Sequence, residues 1–480
     1  MHKNTNALVK AIRLATLAAV AAPASVLAGG FSLNEQSASQ MGVANAGAAA
    51  NPENATTVLF NPAGMSQLSG TNISFGAAVL DIDAEAKTSS INATGAIGQP
   101  VDGGNYRNGG DIADPAVLPN FYMAHEINDS IDVGFGIHAP YGLAADYEDD
   151  FAGRFFADKT ELTAIAFTPS IAINNGQGLS MGLGLNIIYA EGRLSRNQDL
   201  SGAIYRATLT QTNDPQLATQ AALGAPEPYA DVEGDDIGVT FRVGFLYELS
   251  ERTQFGLTAQ TGTELNLKGD MEVTGLPGAP FTPVTSATEK VEVPLAIPES
   301  ISFGARHQLT DDVTLLAGAT YARWSRFEEL DIVSREGSSG NVSQILGALG
   351  GGIPDPINHV TEKWENTWQF NVGGIWQVTP AWAFKAGYAF DESPVNDKFV
   401  TARIPSQDRH WLTLGTQWKD VSDGWTVDVA VGTLIFDGNA KVDDRVYLHS
   451  DPSTPVGNDR YQAEYELSAW SAAFEVSKAF

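Results

Sequence analysis

From Thr71 to Phe480 the chain runs in segments of about ten or more residues that alternate apolar and polar side chains, rich in glycine and aromatics. A period of two belongs to a strand whose two faces meet different surroundings. Such runs lie near Thr71–Asp83, Leu118–Ile127, Ser130–Pro140, Thr160–Asn174, Gly178–Arg196, Asp235–Leu249 and Arg252–Lys268. They continue near Val293–Leu309, Asp312–Phe327, Lys363–Val378, Ala381–Phe390, Arg409–Lys419, Gly424–Phe436 and Leu467–Phe480. That is about fourteen strands, an even number, as in a bacterial single-chain barrel.

The connections sort into two kinds. Asn128-Asp129, Asn174–Gln177, Ser250-Glu251, Thr310-Asp311, Thr379-Pro380 and Asp420–Asp423 read as tight turns. They alternate with long polar loops at Lys87–Ala116, Asn197–Gly234, Gly269–Glu292, Leu330–Glu362 and Asp437–Glu466. Short periplasmic turns opposite long external loops are the pattern of a transmembrane barrel, and a soluble sandwich has no reason to sort its loops this way. Gln216–Gly224 and Val342–Gly352 place apolar residues at helical spacing. They read either as loop packing or as short helices forming a surface where an amphiphile lands.

The two ends agree. Lys3, Lys10 and Arg13 precede an apolar run from Leu14 to Val26 and the small residues of "VLAGGF", the layout of a signal peptide cut after Ala28. The apolar run is short for a membrane helix, and no later run reaches that length. The chain ends on Phe480, with Val476, Phe474, Ala472 and Trp470 at alternate positions, similar to the assembly signal of outer-membrane barrels. Lys478 departs from that pattern, at a cost of about 0–1 kcal/mol at the membrane edge. The expected partners are outer-membrane lipid and lipopolysaccharide and the barrel assembly machinery. The chain is expected to be monomeric.

Charge and composition exclude several classes. A formal charge of −29 makes the chain a poor nucleic-acid binder. It has no cysteine, which rules out disulfides, thiolate metal sites and Cys nucleophiles. "GLSMG" at Gly178–Gly182 has the spacing of a nucleophile elbow, but a strand follows it where a helix is needed. His138 and His410 sit at strand ends without close His partners, a weak basis for a metal site. The acidic pairs Asp149-Asp150, Asp235-Asp236 and Asp443-Asp444 read as solvated surface or as cation bridges to lipopolysaccharide. No catalytic residues, no cofactor and no metal are expected, and the reading is not an enzyme.

Residues 29–70 precede the first strand and are rich in Gly, Ala, Ser and Asn, too poor in apolar residues for a core of their own. They are either a periplasmic tail or a filling for the lumen. The choice is decided by a resemblance. Gly30-Phe31, "LNEQSAS", Asn61-Pro62-Ala63, "APYGLAADY", "GLGLNIIYAEGRLSR", "YARWSRFEEL" and "AFDESPVNDKFVTARIPSQDRHWLTLGT" occur in order along the mature chain. Together they resemble the FadL-type long-chain fatty acid and hydrocarbon transporters of the Gram-negative outer membrane. The resemblance implies a hatch (29–70) plugging a fourteen-stranded barrel (71–480), an apolar lumenal binding pocket and release through a gap in the barrel wall.

Pro140 and Gly142 interrupt the third strand's hydrogen-bond ladder, marking either a kink or the strand's end. By resemblance, Ala116, Ala139, Pro140, Gly142 and Gly244 flank the lateral opening, and the Asn61-Pro62-Ala63 triplet of the hatch faces it. A carboxylate head group needs a cation or donors in a partly dry site. Arg196 stands where the resemblance puts a basic residue near the ligand, with Arg193 and Lys363 as alternatives. Around "HVTEKWENTW" the resemblance implies a basic residue where this chain has Val360 or Glu365, a departure that makes a neutral hydrocarbon the alternative substrate. Phe31 reads as a gate in the acyl pocket or as lumen packing. Asn61 is expected to satisfy backbone groups left unpaired beside the kink.

Overall fold

The structure, a computed structural model, describes residues 30–276, 285–348 and 355–480. The proposed signal peptide, its cleavage site and residues 349–352 of the second expected loop helix lie outside them. Fourteen antiparallel strands form a closed barrel. They are β1 (Thr71–Ala86), β2 (Ala116–Asn128), β3 (Ile131–His138 and Gly142–Asp146), β4 (Lys159–Asn174) and β5 (Leu179–Asn197). Next come β6 (Tyr229–Ser250), β7 (Thr253–Gln260 and Thr263–Leu276), β8 (Thr285–Ile297 and Ser300–Gln308) and β9 (Val313–Ala322). The set ends with β10 (Thr367–Thr379), β11 (Trp382–Asp391), β12 (Arg409–Lys419), β13 (Trp425–Phe436) and β14 (Asp451–Ala479). Pairing of β1 with β14, from Asn72 against Ala479 to Ala86 against Tyr465, closes the cylinder.

The period of two becomes an inside and an outside. In β12, Leu412 and Leu414 are exposed while Trp411 and Thr413 are buried. In β14, Trp470 and Phe474 face out while Ser471, Ala473 and Glu475 face the lumen. Exposed Phe, Trp, Leu and Ile on successive strands give the apolar outer band a bilayer requires. Lys478 has the outward parity. Its ammonium lies 4.6 Å from the Trp425 ring and 5.1 Å from the Phe480 ring. Those contacts hold the charge at an aromatic rim.

The tight turns stand where expected, but the long-loop end carries more structure than a loop reading allows. Strands β6, β7, β8 and β14 run far past the membrane-length alternation, and β7 and β8 are each interrupted, at Thr261-Gly262 and Pro298-Glu299. The expected loop Asp437–Glu466 is a hairpin of Ala440–Leu448 with the start of β14. The expected loop Leu330–Glu362 holds paired strands Glu329–Ser334 and Asn358–Thr361. Of the two readings of the apolar loop segments, the helical one holds: Pro215–Leu223 follows Ser201–Thr212, and Asn341–Ala348 lies within the Leu330–Glu362 connection.

Residues 30–69 fill the lumen as short helical turns at Ala38–Met41, Ala48–Ala50, Thr57–Phe60 and Pro62–Gln67. Polar bonds tie this hatch to the wall. Lys385 Nζ reaches the Ser39 carbonyl at 3.0 Å, Glu53 Oε2 at 2.6 Å and Asp428 Oδ1 at 3.0 Å. Glu475 accepts from Ser37 Oγ and Asn54 Nδ2, each at 2.6 Å. A buried charge is tolerable only with such partners. Inward glycines allow close approach: at Gly256 the Ala49 carbonyl occupies the space a Cβ would need.

Candidate functional site

The β3 ladder is interrupted where Pro140 stands. Pairing with β2 ends at Phe121–Ile137, and Gly142–Asp146 pairs with β4 alone. Ala116–Asn120 of β2 therefore keeps β1 as its strand partner and has none on its other side among the described residues. Hatch backbone covers the interruption. Leu33 N–H donates to the Pro140 carbonyl at 3.1 Å, and Gly142 N–H donates to the Phe31 carbonyl at 2.9 Å. Ser32 pairs opposite Tyr141 as one antiparallel bridge. Gln36 Nε2 donates to the Ala139 carbonyl at 2.5 Å, and Tyr122 donates to the Gln36 carbonyl at 3.1 Å.

The triplet sits elsewhere. Asn61 Nδ2 donates to the Ala49 carbonyl at 2.6 Å and to the Phe245 carbonyl of β6 at 2.9 Å. Its Oδ1 accepts from Ala63 N–H at 3.1 Å, capping the Pro62–Gln67 turn. Gly182 of β5 lies against Pro62 and Ala63, and Gly244 of β6 lies against Asn61, each with no space for a side chain. The partners of the triplet are thus β5, β6 and Ala49, and the residues bonded across the β3 interruption are Phe31, Leu33 and Gln36. Gly244 groups with the triplet; Ala139, Pro140 and Gly142 lie at the interruption, and Ala116 at the free end of β2.

Phe31 joins the interruption to an aromatic nest. Its ring is buried edge-on to Trp324 at 4.6 Å between centroids, with Trp364, Tyr141 and Phe327 at 5.7, 5.8 and 5.9 Å. Beside it lies a cavity of about 50 Å³ walled by Leu143, Leu162, Leu194, Val232, Leu267 and Leu295, among others. Below Ser32 and Asn34 a second, more polar cavity of about 210 Å³ reaches Pro140, His138, Tyr141 and Arg242.

The three expected cations differ in kind. Arg193 lines the apolar cavity but is already neutralised, donating twice to Asp231 at 3.0 and 2.6 Å. Lys363 is a loop residue at φ +45°, its ammonium 6.0 Å from the Phe399 ring. Arg196 is half-buried at the top of β5, bonded to the Phe155 carbonyl and Asn358 Oδ1, neutral acceptors both. A fourth, Arg403, escaped sequence reading. It is fully buried in the loop after β11 and donates to the Lys159 and Ser195 carbonyls and to Thr160 Oγ1. Neither Arg196 nor Arg403 has a carboxylate within 4.0 Å among the described residues. Burial lowers the Arg403 pKa, pushes Asp444 up to about 6 and pushes Glu362 up to about 8. Only its place in the segment "VTARIPSQD" could have flagged Arg403, because a loop offers no periodicity to argue from.

A plugged barrel with a wall interruption bonded to its own N-terminal strand is a specific arrangement, and the sequence comparison decides whose. Residues 18–480 match the model of a family described as outer membrane protein transport protein (OMPP1/FadL/TodX). The chain belongs to this family. FadL/TodX-family relatives include a 47 kDa outer membrane protein of Pasteurella multocida, 31% identical, with 86% of this chain and 89% of that one covered. The long-chain fatty acid transport protein of Escherichia coli is 27% identical, with 94% of each chain covered. The fold is shared with a Pseudomonas aeruginosa FadL homologue, at a TM-score of 0.78, 22% identity and coverage of 94% of this chain and 100% of that one. It is shared also with the Pseudomonas putida toluene transporter TodX, at 0.62, 15% identity, and 89% and 94% covered. This FadL/TodX-family chain is accordingly an outer-membrane transporter of hydrophobic molecules.

Proposed function

We propose that the protein takes up long-chain fatty acids passively: the acyl chain enters the apolar cavity beside Phe31, and the molecule leaves sideways past the β3 interruption. One observation carries this reading. Phe31 occupies the aromatic nest with its ring and bonds Gly142 with its carbonyl, so a ligand that displaces the ring also pulls on the strand covering the gap. The physics of the cargo asks for such a route. Each buried CH₂ is worth about 0.8 kcal/mol, so a long chain resists a water-filled pore and needs apolar stations between membrane and exit. Arg196 and Arg403, neither with a carboxylate within 4.0 Å among the described residues although both feel the charge of Asp444, are suited to hold the head group at the long-loop end. A coulombic partner is most valuable where water is excluded.

A second reading, uptake of neutral hydrocarbons, is favoured by Arg193: the cation in the wall of the apolar cavity is cancelled by Asp231. The test is uptake of labelled oleate and labelled toluene by cells carrying this protein as their only such transporter. The fatty-acid reading expects saturable oleate uptake that falls when Arg196 and Arg403 are changed to Gln, with toluene unaffected. Toluene uptake with no oleate uptake overturns it. Unchanged oleate uptake after deletion of Asn61–Ala63, with the barrel assembled, sinks the hatch-dependent route. Processing after Ala28, a monomeric state and contacts with lipopolysaccharide and the assembly machinery belong to the same proposal.

A further inference from the structure

The structure assigns a zinc-type metal site to Glu329, Asp331, His359 and His449, where it would clasp two loops together over the long-loop end of the lumen. The site begins with strand geometry. Glu329–Ser334 pairs with Asn358–Thr361 in the connection between β9 and β10, with Asp331 opposite His359 and Glu329 opposite Thr361. A period of two puts Glu329, Asp331, His359 and Thr361 on one face. The turn of the Ala440–Leu448 hairpin, before β14, adds His449 from a different loop. One ligand atom from each of the four residues then lies within 4.8 Å of the others.

Three of the four distances lie near the ligand spacing of a tetrahedral ion, and one is shorter. His359 Nδ1 is 2.6 Å from Asp331 Oδ1 and 3.8 Å from Glu329 Oε2. His449 Nδ1 is 3.0 Å from Asp331 Oδ2 and 3.5 Å from Glu329 Oε2. Ligands held at about 2.0–2.1 Å from zinc stand roughly 3.3 Å apart, so binding asks the His359–Asp331 pair to open from 2.6 Å and the half-exposed Glu329 and exposed His449 side chains to rotate slightly inward.

Proton accounting points the same way. The Thr361 hydroxyl donates to the Pro452 carbonyl at 2.9 Å, so toward His359 Nε2, also at 2.9 Å, it acts as an acceptor. That leaves the N–H of a neutral His359 on Nε2 and a lone pair on Nδ1, aimed at a carboxylate oxygen. Lone pairs facing one another at that range are bridged either by a proton, as an imidazolium–carboxylate pair, or by a metal ion, whose shell Glu329 and His449 stand ready to complete. An acceptor that fixes the far ring nitrogen, here the Thr361 hydroxyl, is the kind of support a metal-bound histidine has. Two imidazoles with two carboxylates suit Zn²⁺; Ca²⁺ and Mg²⁺ prefer oxygen alone.

The site reaches the lumen through the same short strand. Leu330 and Ile332, on the opposite face from Glu329 and Asp331, are buried with Phe31, Phe327 and Trp364, and Leu330 lines the apolar cavity. A metal clasp between His359 and His449 would hold that cavity wall in place. This inference does not depend on which hydrophobic substrate is carried.

The test uses the full-length protein in detergent, free of any histidine tag and stripped with a chelator. Zn²⁺ is titrated against a chromophoric competitor, and Co²⁺ is added separately to read its visible absorption. The site predicts one saturable equivalent of Zn²⁺, the intense visible bands of four-coordinate Co²⁺, and no competition from excess Ca²⁺. His449→Ala, at a half-exposed turn position, and His359→Ala should each weaken Zn²⁺ at least tenfold. Heat-modifiable gel mobility checks that each variant keeps its barrel. Absence of saturable Zn²⁺ binding overturns the proposal. So does a Zn²⁺ affinity that is unchanged in His449→Ala, which would place the ion elsewhere.

Discussion

The Phe31 carbonyl accepts from the Gly142 amide at 2.9 Å while the Phe31 ring centroid stands 4.6 Å from that of Trp324. One residue thus touches both the wall interruption and the apolar nest. On the proposed route, movement of the ring would be passed to the wall through this one residue.

A disulfide across the joint should lock the exit. Ser32 and Tyr141 face each other in a pair flanked by the Leu33–Pro140 and Phe31–Gly142 bonds, a non-hydrogen-bonded position. Such a pair brings Cα atoms to about 4.5 Å, within disulfide range. The chain has no cysteine of its own, so the double variant Ser32→Cys/Tyr141→Cys is a clean background. Uptake should be lost when the pair is oxidised and return on reduction. Equal uptake in both states would separate the interruption from transport.

Removing the ring should tighten ligand binding. In Phe31→Ala the nest is vacated, and an incoming chain no longer displaces a buried phenyl group. Burying such a side chain is worth about 1.5–3 kcal/mol, so the affinity for a fluorescent fatty acid should rise by roughly 10- to 100-fold. Transport should become less ligand-dependent in the same variant. A weaker affinity would make Phe31 part of the binding surface and not its occupant.

The barrel was legible because every strand repeats one physical instruction, outward Leu412 and Leu414 against inward Trp411 and Thr413 being a local example. Pro140 announced the β3 interruption for the same reason: a missing N–H is visible in sequence. What covers the interruption was not visible. Neither the triplet Asn61-Pro62-Ala63 nor the segment Phe31–Leu33 carries a period that would assign it to a wall strand, and only the packed hatch shows that the first packs on β5 and β6 and the second on β3. Arg403 and His449 were hidden because they come from loops, where spacing carries no period, and Glu329, Asp331 and His359 because their strands are too short for alternation to show which segments pair.

Asn61 should matter to the hatch and not to the barrel. Asn61→Ala removes the donors to the Ala49 and Phe245 carbonyls and the cap on Ala63. An unsatisfied buried group costs about 1–3 kcal/mol. Hydrogen exchange of amides 45–64 should accelerate by one to two orders of magnitude on that scale, with gel mobility unchanged. Equal exchange in wild type and variant would show that Gly182 and Gly244 hold the segment by shape alone.

The packing around Glu362 should loosen as the pH rises. This buried loop carboxyl accepts a hydrogen bond from Trp364 Nε1 at 2.9 Å, and its Oε1 has no partner among the described residues. Burial raises its pKa from the ordinary 4.5 to about 8, with Asp444 adding to the rise and Arg403 opposing it. Between those values the folded state holds a proton that the unfolded state has released, so stability falls as the pH increases. The contribution is whole below pH 4.5, is lost progressively up to about 8, and changes no further above that. Hydrogen exchange around residues 362–364, corrected for the intrinsic pH dependence of exchange, should show declining protection across this window. Glu362→Gln keeps an acceptor for Trp364 and carries no charge, so its protection should be flat and should exceed that of the wild type at pH 9. A slope that persists in Glu362→Gln would assign the titration to Asp444 instead.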